Sequence, residues 1–204
     1  VIVQGGVNSK VTSLTIGSDY YVQTDGTLNT ATSAVNYDIA NASYTQAFSV
    51  SAQVTFPSGV AFNPTGTKMF VVDNTGDDVN EYTLSTGFDV STASFVDSFS
   101  VNAQQAAPMS VAFNTDGTKM YIVGETEDTV AQYALSTGFD VSSASFTQAF
   151  SIAAQETEAQ GITFNPTGTK MFIVGDTGND VGEYTLSSGF DVSTASFVDS
   201  FSFA

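Results

Sequence analysis

Apolar and polar residues alternate along most of this chain with a period of two. In the segment SFVDSFSV at 94–101, Phe95, Phe99 and Val101 fall on one face together with Asp97, because successive side chains of a strand point to opposite faces. The pattern therefore predicts β-strands, and no long amphipathic helical stretch interrupts them. Further short segments rich in β-branched and aromatic residues lie at 60–64, 68–73 and 79–85.

Turn-forming residues separate these short segments. They read NPTG at 63–66, DNTGD at 73–77 and STG at 85–87, and each combines Gly with Asn, Asp, Ser or Pro, the residues that favour tight turns. We therefore expect four antiparallel strands in succession, joined by tight or medium loops.

The same unit then recurs along the chain. Asp89, Asp140 and Asp191 open nearly identical segments spaced by 51 residues, and one further step back reaches Asp38. A fixed period of this length indicates a repeat architecture built by duplication. Residues 38–88, 89–139 and 140–190 are full copies, and 191–204 begin a fourth.

Four short strands repeated at this period are typical of one blade of a β-propeller. The phrase FNPTGTKMFVV at 62–72 resembles the strand-turn-strand signature of YVTN-type propeller repeats, in which a Pro-x-Gly or Asp-Gly turn precedes a basic residue and an apolar strand. The basic residues here are Lys68, Lys119 and Lys170. The resemblance covers 38–204 and implies an all-β, propeller-like array of four-stranded antiparallel blades: three clear repeats plus a divergent N-terminal β segment.

The way such a ring closes stays open at this stage. The repeats give blades at about 54–102, 105–153 and 156–203, whereas propellers have about four to eight blades. Three arrangements are compatible with the repeats: residues 1–53 form a divergent fourth blade whose last strand is 43–50, separate chains close the ring together, or the chain belongs to a longer parent protein. A solenoid of stacked sheets is a further alternative.

The N-terminal residues 1–37 lie outside the repeat family and are predicted to form a β-hairpin segment, followed by the propeller-like repeats at 38–204. Residues 14–30 contain a strand, an Asp-Gly turn and a second strand, the pattern of a hairpin. Within them, YYVQTDGTL at 20–28 resembles a short motif of bacteriophage tail-fibre and tail-tip proteins. That resemblance implies an extracellular location on the virion tail, other tail proteins as partners, and a homo-oligomer, with a trimer favoured. In that family a small terminal domain often follows the motif, whereas propeller-like repeats follow it here.

The charge balance excludes some partners. The chain has a formal net charge of −17 and no His, Arg or Cys. Nucleic-acid binding depends on cations that neutralise phosphates, so it is not expected, and neither is binding to anionic membranes. No apolar run approaches the roughly 18–20 residues that span a bilayer, so we expect no membrane insertion.

The residue inventory also removes most catalytic chemistry. Without His and Cys, no Ser-His-Asp or Cys-His nucleophile and no His/Cys zinc site can form. Sugar-phosphate lactonases and many dehydrogenases built on propellers depend on His, Arg or a bound cofactor. Carboxylate pairs could serve a glycosidase, but the acids recur with the repeat and lie mainly in turns, which indicates solvated loop charges. We therefore expect no enzyme, and we assign no catalytic or cofactor-binding residue.

One loop of the repeat offers weak candidates for a metal ion. It reads DNTGDD at 73–78 and DTGND at 176–180, and such oxygen ligands suit calcium. The middle copy reads ETED at 125–128 and lacks the glycine, and Asx-type turns explain the same residues without a metal. We expect no cofactor, with calcium as the alternative. The candidate ligands are Asp73, Asp77, Asp78, Asp176 and Asp180.

Other recurring residues are expected to be structural. A lysine that follows a turn covers a strand edge or pairs with a carboxylate, and a ring of identical glutamines arises from duplication alone. The aromatic rows are expected to pack between blades. The rows are Gln53, Gln104 and Gln155; Phe62, Phe113 and Phe164; Tyr82, Tyr133 and Tyr184; and Phe88, Phe139 and Phe190.

These observations lead to one preferred function and one alternative. The loops at 53–59, 104–110 and 155–160 differ most between copies, and variable loops on a uniform scaffold are where binding specificity is placed. We expect a phage tail-fibre or receptor-binding component that contacts a host surface polysaccharide or protein. The alternative is a structural repeat module of a bacterial extracellular filament or surface layer.

Overall fold

The computed structural model describes residues 20–22, 28–30, 40 and 42–202. The chain divides into two compact units, Val1–Thr45 and Gln46–Ala204. The boundary expected between residues 37 and 38 lies outside the described residues.

Two strands in the described part of the first unit form an antiparallel sheet. Strands β1 (Tyr20–Val22) and β2 (Leu28–Thr30) pair so that Tyr20 lies opposite Thr30 and Val22 opposite Leu28. Both strands fall within the segment that the sequence predicts as a hairpin. The Asp-Gly turn between them lies outside the described residues.

The second unit contains three four-stranded antiparallel sheets, and within each sheet the strands follow one another in chain order. The first sheet consists of β3 (Pro57–Phe62), β4 (Lys68–Asp73), β5 (Asp78–Leu84) and β6 (Ala93–Ser100). The second consists of β7 (Pro108–Phe113), β8 (Lys119–Gly124), β9 (Thr129–Leu135) and β10 (Ala144–Ser151). The third consists of β11 (Ala159–Phe164), β12 (Lys170–Gly175), β13 (Asp180–Leu186) and β14 (Ala195–Ser202).

The turn between the first two strands of a blade is closed by Asn and Gly. The Asn63 side chain accepts a hydrogen bond from the Lys68 amide at 3.0 Å, and Gly66 has a φ of 69°. A Cβ atom on Gly66 would lie 2.3 Å from the Phe88 ring. Glycine is therefore required both by the left-handed backbone and by the ring packed against it.

The aspartate that marks each repeat caps a single turn of 3-10 helix. The Asp89 carboxylate accepts hydrogen bonds from the Ser91 amide at 3.1 Å and the Ser91 hydroxyl at 2.7 Å, as expected of an N-cap. The Ser91 hydroxyl is the main group that lowers the pKa of Asp89. The capped turns are Val90–Thr92, Val141–Ser143 and Val192–Thr194.

The fourth strand of each blade does not keep the strict alternation predicted from the sequence. In the first sheet Tyr82 lies opposite Phe95, whereas the preceding Glu81 lies opposite Asp97. Val96 is therefore an extra residue, which defines a β-bulge. The other two sheets have register shifts at the equivalent place.

The bulge turns Phe95 and Phe99 to opposite faces of the sheet, so the prediction of one shared face was wrong. Phe95 packs edge-on against Tyr82 of its own blade, with ring centroids 5.7 Å apart. Phe99 packs against Tyr133 of the following blade at 5.6 Å. An insertion of one residue reverses the side-chain order of a strand, and periodicity alone does not reveal where it falls.

Apolar cores fill the spaces between successive sheets. One core joins residues of the first and second sheets, and another joins the second and third. The ring centroids of Phe70 and Phe113 are 4.4 Å apart across the first interface, and those of Tyr121 and Phe164 are 4.5 Å apart across the second. The sheets are thus packed face to face like propeller blades, which confirms the predicted all-β, propeller-like fold.

A segment before the first blade takes the place of a preceding fourth strand. Phe48 packs against Tyr82 at 5.7 Å, the relation that Phe99 has to Tyr133. Residues 42–50 nevertheless form no strand, whereas the alternative of a divergent fourth blade required 43–50 to be its last strand. Most of the preceding residues lie outside the part of the chain that the structure describes.

Candidate functional site

The antiparallel order of the strands sorts the loops onto two ends of each blade. The loop that enters the first strand and the loop between the second and third strands lie at the same end, and they include the loops that vary most between copies. We call this the acidic loop end and its opposite, which carries the Asn-closed and Asp-capped turns, the turn end. The acidic loop end comprises 52–56, 73–78, 103–107, 124–129, 154–158 and 175–180.

In the first blade, one buried carboxylate ties the two loops of the acidic loop end together. Asp73 accepts hydrogen bonds from the amides of Thr55 at 2.7 Å, Phe56 at 2.9 Å and Thr75 at 3.1 Å. Burial raises the pKa of Asp73, but backbone N–H donors from these residues and Gly76 outweigh it, and the net effect lowers the pKa. Asp73 is therefore a structural anchor whose oxygens are already occupied.

In the third blade, the carboxylate that connects the two loops comes from a different position in the repeat. Glu156 is buried and lies in the entering loop, whereas Gly175 stands where the first blade has Asp73. Burial raises the pKa of Glu156, but hydrogen bonds from backbone amides lower it by more, so the net effect is a lowered pKa. The donors are the amides of Glu158 at 2.8 Å, Thr157 at 2.9 Å, and Thr177 and Gly178 at 3.1 Å.

The second blade uses yet another pair of residues. Glu127 accepts from the Ala106 amide at 3.0 Å, and the buried Gln105 amide group donates to the Thr129 carbonyl at 2.8 Å. The anchoring carboxylate therefore occupies a different repeat position in each of the three copies. The sequence pattern did not reveal this role.

A coupled substitution is the signal that marks these anchors. A Cβ atom on Gly175 would lie 2.3 Å from the carboxyl carbon of Glu156 and 2.5 Å from the Glu158 carbonyl oxygen. A side chain at that position and a long polar side chain in the entering loop therefore exclude each other. The copies obey this rule with the pairs Val54 and Asp73, Gln105 and Gly124, and Glu156 and Gly175.

The remaining metal candidates are spread over the same end. Asp77 accepts from the Ala107 amide of the next blade at 3.0 Å. Asp78 accepts from the Asn80 side chain at 2.6 Å, and its pKa is raised mainly by burial and further by the charges of Asp73 and Asp77.

In the third blade the two candidates also lie in the loop between the second and third strands. The Asp176 amide donates to the Glu158 carbonyl at 3.1 Å. The pKa of Tyr184 is raised to about 12, mainly by its burial and then by the charge of Asp180. Across the described residues, no group of three or more acidic side chains is arranged to hold a metal ion.

At the turn end, a lysine and an acid of one blade hold a turn of the next. Lys68 Nζ lies 2.7 Å from Glu81 Oε1 and donates to the Phe139 carbonyl at 2.6 Å. Glu81 Oε2 accepts from the Val141 amide at 3.0 Å. These contacts are made to the residues on either side of the capping Asp140, and we call them the inter-blade clamp.

The second interface repeats the clamp with different residues. Lys119 Nζ and the Tyr121 hydroxyl donate to the Phe190 carbonyl at 2.7 and 2.6 Å. Gln132 Oε1 accepts from the Val192 amide at 3.1 Å. An amide group thus replaces the carboxylate of the first clamp without loss of the acceptor.

The expected pairing of the repeated lysines with carboxylates holds in two copies. Lys68 pairs with Glu81, and Lys170 pairs with Glu183 at 2.6 Å. Lys119 differs because Gln132 stands at the position of the acid, so its ammonium group is directed to a backbone carbonyl.

The repeated glutamines serve buried tyrosines. The Tyr82 hydroxyl donates to Gln53 at 3.4 Å, and the Tyr133 hydroxyl donates to Gln104 at 3.2 Å. Burial is the main cause that raises the pKa of Tyr133. The contact holds in the first two blades, whereas the buried hydroxyl of Tyr184 in the third blade has no hydrogen-bond partner among the described residues.

The first strands of the three blades line a groove of 450 Å³. Among the described residues its walls combine apolar side chains with Ser110, Asn114 and Asn165, and none of them is charged. Such a groove can accept a neutral group through hydrogen bonds, but these walls offer no acid or base.

Three four-stranded antiparallel sheets with apolar cores between their faces define a β-propeller-like protein. Solved structures share this fold. A candidate 6-phosphogluconolactonase from Bacteroides uniformis has a TM-score of 0.54 at 15% identity, over 90% of this chain and 50% of that one. A protein from Lactobacillus plantarum has a TM-score of 0.54 at 17% identity, with the same coverage of 90% and 50%.

A second candidate 6-phosphogluconolactonase, from Bacteroides fragilis, has a TM-score of 0.52 at 14% identity, over 72% of this chain and 39% of that one. This chain thus spans half or less of the length of these three structures. No protein-family model matches the chain, and no curated protein matches it.

The comparisons contradict the expectation that the chain is not an enzyme. That expectation came from the absence of His, Cys and Arg, yet the chain shares its fold with two proteins designated candidate 6-phosphogluconolactonases. At 14 and 15% identity the similarity shows the fold alone and assigns no reaction to this chain. A lactone-hydrolysis assay on the purified chain is the direct test of catalysis.

Proposed function

We propose that this chain is a surface-binding module of a virion tail, and that its acidic loop end contacts a polysaccharide or protein on a host cell. The observation that carries the proposal is the contrast between the two ends. The entering loops read QVTFPSG, QQAAPMS and QETEAQ, whereas the turns at the opposite end read NPTGTK, NTDGTK and NPTGTK. Diversity is thus concentrated at one end of a uniform scaffold, as in other loop-based binding sites.

The anchors support this reading because they hold the variable loops in place. Asp73, Glu127 and Glu156 each accept hydrogen bonds from backbone amides of these loops. Loops held by such hydrogen bonds lose little conformational entropy when they bind a partner. The neighbouring side chains are therefore presented in a fixed arrangement.

The charge of this end indicates the chemistry of the partner. Glu125, Glu158 and Asp176 are exposed there, whereas the lysines of the three blades begin the second strands at the turn end. A surface of one sign attracts the opposite sign. The proposed ligand is a polysaccharide with free amino groups or a lysine-rich protein surface.

The placement on a virion tail rests on the N-terminal unit. The resemblance of YYVQTDGTL to tail-fibre proteins falls on a segment whose two strands, β1 and β2, are paired. Other tail proteins are the proposed partners of that unit. The assignment of the blades to YVTN-type repeats rests on the turn and the following lysine, and it forms part of the same proposal.

The test compares two double variants that remove equal charge. Glu158→Gln with Asp176→Asn removes two exposed negative charges from the acidic loop end, and Asp97→Asn with Asp199→Asn removes two from the exposed outer strands β6 and β14. Labelled protein is applied to a panel of bacterial strains and to an amino-sugar polysaccharide in free-amine and acetylated forms. The loop variant is expected to bind the free-amine form about tenfold more weakly.

The matched outer-strand variant is expected to bind as the parent chain does. If both variants bound the free-amine polysaccharide equally weakly, net charge alone would explain the loss. That result would contradict a binding site at the acidic loop end. Absence of binding by the parent chain to every strain and to both polysaccharides would contradict the proposal as a whole.

The alternative, a structural repeat module of an extracellular filament or surface layer, is favoured by the apolar residues exposed on both end blades. Val60 is 61% exposed and Val174 is 37% exposed, which suits end-to-end assembly. Electron microscopy of the native assembly separates the two functions: fibres attached to phage particles support the tail module, and long polymers or cell-bound layers support the structural material.

A further inference from the structure

One loop position at the acidic loop end carries a different kind of side chain in each blade. It is the last residue before the first strand, and it is occupied by Phe56, Ala107 and Glu158. The three differ in size, polarity and charge, whereas the first strands that follow them pair with the second strands in the same register. A side chain that varies on a constant scaffold is typical of a contact position.

The backbone carbonyl at this position is held in all three blades. The carbonyls of Phe56, Ala107 and Glu158 accept hydrogen bonds at 2.9, 3.3 and 3.1 Å from the amide of the residue that follows the second strand. The donors are Asn74, Glu125 and Asp176. The contact links the entering loop to the loop between the second and third strands in every blade.

The backbone amide of the same residue is held as well, because it donates to a carboxylate in every blade. The carboxylate comes from a different place in each copy. The pairs are Phe56 with Asp73 at 2.9 Å, Ala107 with Asp77 of the preceding blade at 3.0 Å, and Glu158 with Glu156 at 2.8 Å. The same backbone groups are therefore fixed in all three copies, although the side chain differs.

The side chains in the first and third blades are available to a ligand. Phe56 is 56% exposed, and an aromatic ring on a fixed backbone supplies contact area at low entropic cost. Glu158 is exposed although the second blade precedes its own, so a neighbouring blade does not cover this position. The Glu158 carboxylate takes part in no ion pair among the described residues.

We propose that this position determines the ligand specificity of the acidic loop end. The Phe56 ring stacks on the apolar C–H face of one sugar residue, and the Glu158 carboxylate pairs with the amino group of another. The assignment rests on the proposed function and narrows its ligand to an amino-sugar polysaccharide. The second blade lies between the two side chains, so the two contacts fall on different sugar residues of one polymer chain.

The second blade makes no comparable contact. Ala107 has only a methyl group, and its backbone is left-handed with a φ of 59°, a conformation that larger side chains adopt at a cost. The described blades therefore supply one apolar contact and one charged contact.

The apolar contact is tested with an amino-sugar polysaccharide in its free-amine and acetylated forms, because both forms keep the C–H face of the sugar. Phe56→Ala is expected to weaken binding to each form about fivefold, with the ratio of the two affinities unchanged. Phe56→Leu keeps an apolar side chain without the ring, and it is expected to weaken binding to both forms as well. Thermal melting checks the fold of each variant.

The charged contact has a different signature, because only the free amine is a cation. Glu158→Gln is expected to weaken binding to the free-amine form about threefold and to leave binding to the acetylated form unchanged. Asp97→Asn removes one exposed charge from the outer strand β6. It is the matched control and is expected to bind both forms as the parent chain does.

A gain of charge tests the position in the opposite direction. Phe56→Glu replaces the ring by a second carboxylate, and it is expected to raise the preference for the free-amine form over the acetylated form about threefold. Val96→Glu adds the same charge at an apolar residue of β6 that is 50% exposed. This control is expected to keep the preference of the parent chain.

Weaker binding of both forms by Phe56→Ala, weaker binding of the free-amine form alone by Glu158→Gln, and a raised preference in Phe56→Glu support the proposal. If the parent chain binds the polysaccharide and the variants at positions 56 and 158 bind it equally well, the proposal is overturned and the proposed function stands. An equal loss of both forms in Glu158→Gln would overturn the charged contact. Absence of binding by the parent chain contradicts the proposed function itself.

Discussion

At the scale of single residues, the acids of the acidic loop end divide into anchors and exposed charges. Asp73 and Glu156 are buried and accept backbone hydrogen bonds, whereas Glu158 and Asp176 are exposed. Sequence reasoning treated all loop acids alike as solvated charges or weak metal ligands. The distinction depends on which amides the folded loops bring within reach of each carboxylate.

We predict that Asp73→Asn lowers the free energy of unfolding by about 2 kcal/mol near neutral pH, because buried amides lose a charged acceptor. The folded pKa of Asp73 lies below its ordinary value of 3.8, so its stabilising effect is present above that value and is lost as the pH falls through the folded pKa. Urea unfolding at a series of pH values measures this.

The variant is therefore expected to lose less stability on acidification than the parent chain. Asp97→Asn, an exposed change of the same kind, is the matched control, and it should leave the free energy of unfolding near neutral pH close to that of the parent chain. Parallel acid profiles for the parent and Asp73→Asn would contradict the anchoring role.

A second prediction concerns the glycine that accommodates Glu156. Gly175→Ala places a Cβ atom 2.3 Å from the Glu156 carboxyl carbon, and overpacking of this kind costs about 1–3 kcal/mol. Gly182→Ala is the matched control: its nearest neighbour would lie at 3.4 Å, and the second blade has Ala131 at the same position. Equal thermal stability of the two variants would contradict the steric argument.

At the scale of elements, blades are joined by polar clamps as well as by apolar packing. The bulge in the fourth strand directs Phe95 to its own blade and Phe99 to the next. The clamp holds the turn that begins the next repeat. Each of these blades is therefore stabilised by its neighbour in two ways, through the shared apolar core and through the hydrogen bonds of the clamp.

We predict a strong coupling between Lys68 and Glu81. Lys68→Met leaves the Glu81 carboxylate buried without its cation, which costs about 3 kcal/mol. Glu81→Gln costs less, since Gln132 performs the same acceptor role in the second blade. The double variant is expected to recover most of the loss, and a double-mutant cycle from urea unfolding measures the coupling. Additive effects of the two changes would argue against the clamp.

At the scale of the whole molecule, the array combines high negative charge with open apolar faces. The net charge is −17, which opposes compaction through self-repulsion. Within the described residues no helix is long and apolar enough to cross a bilayer. The exposed faces of the end blades carry residues that are buried at every internal interface.

We predict that salt stabilises this chain. Raising NaCl from about 10 mM to about 500 mM shortens the screening length and weakens repulsion among the carboxylates, so the melting temperature is expected to rise. The same series tests calcium: a specific site would raise the melting temperature more with calcium than with magnesium at equal ionic strength. A fall in melting temperature with NaCl would indicate that attractive ion pairs dominate instead.

The amino-acid sequence by itself determined the strands, the turns and the repeat. Alternation marks β-structure, and residues such as Gly66 and Asp89 impose local geometry through their own backbone or side chain. These are short-range effects, so they can be predicted from neighbouring residues alone. The propeller-like stacking followed because each sheet has two faces to bury.

Tertiary structure alone decided which residues act together. The facing of Phe99 depends on a one-residue bulge, the anchors Asp73 and Glu156 depend on loops distant in sequence, and the Lys68 clamp reaches a turn 71 residues away. Such contacts depend on how whole sheets pack against each other, and many sequence patterns satisfy them. For this reason the fold was predicted from the sequence, whereas the arrangement of the acidic loop end and of the inter-blade clamps was not.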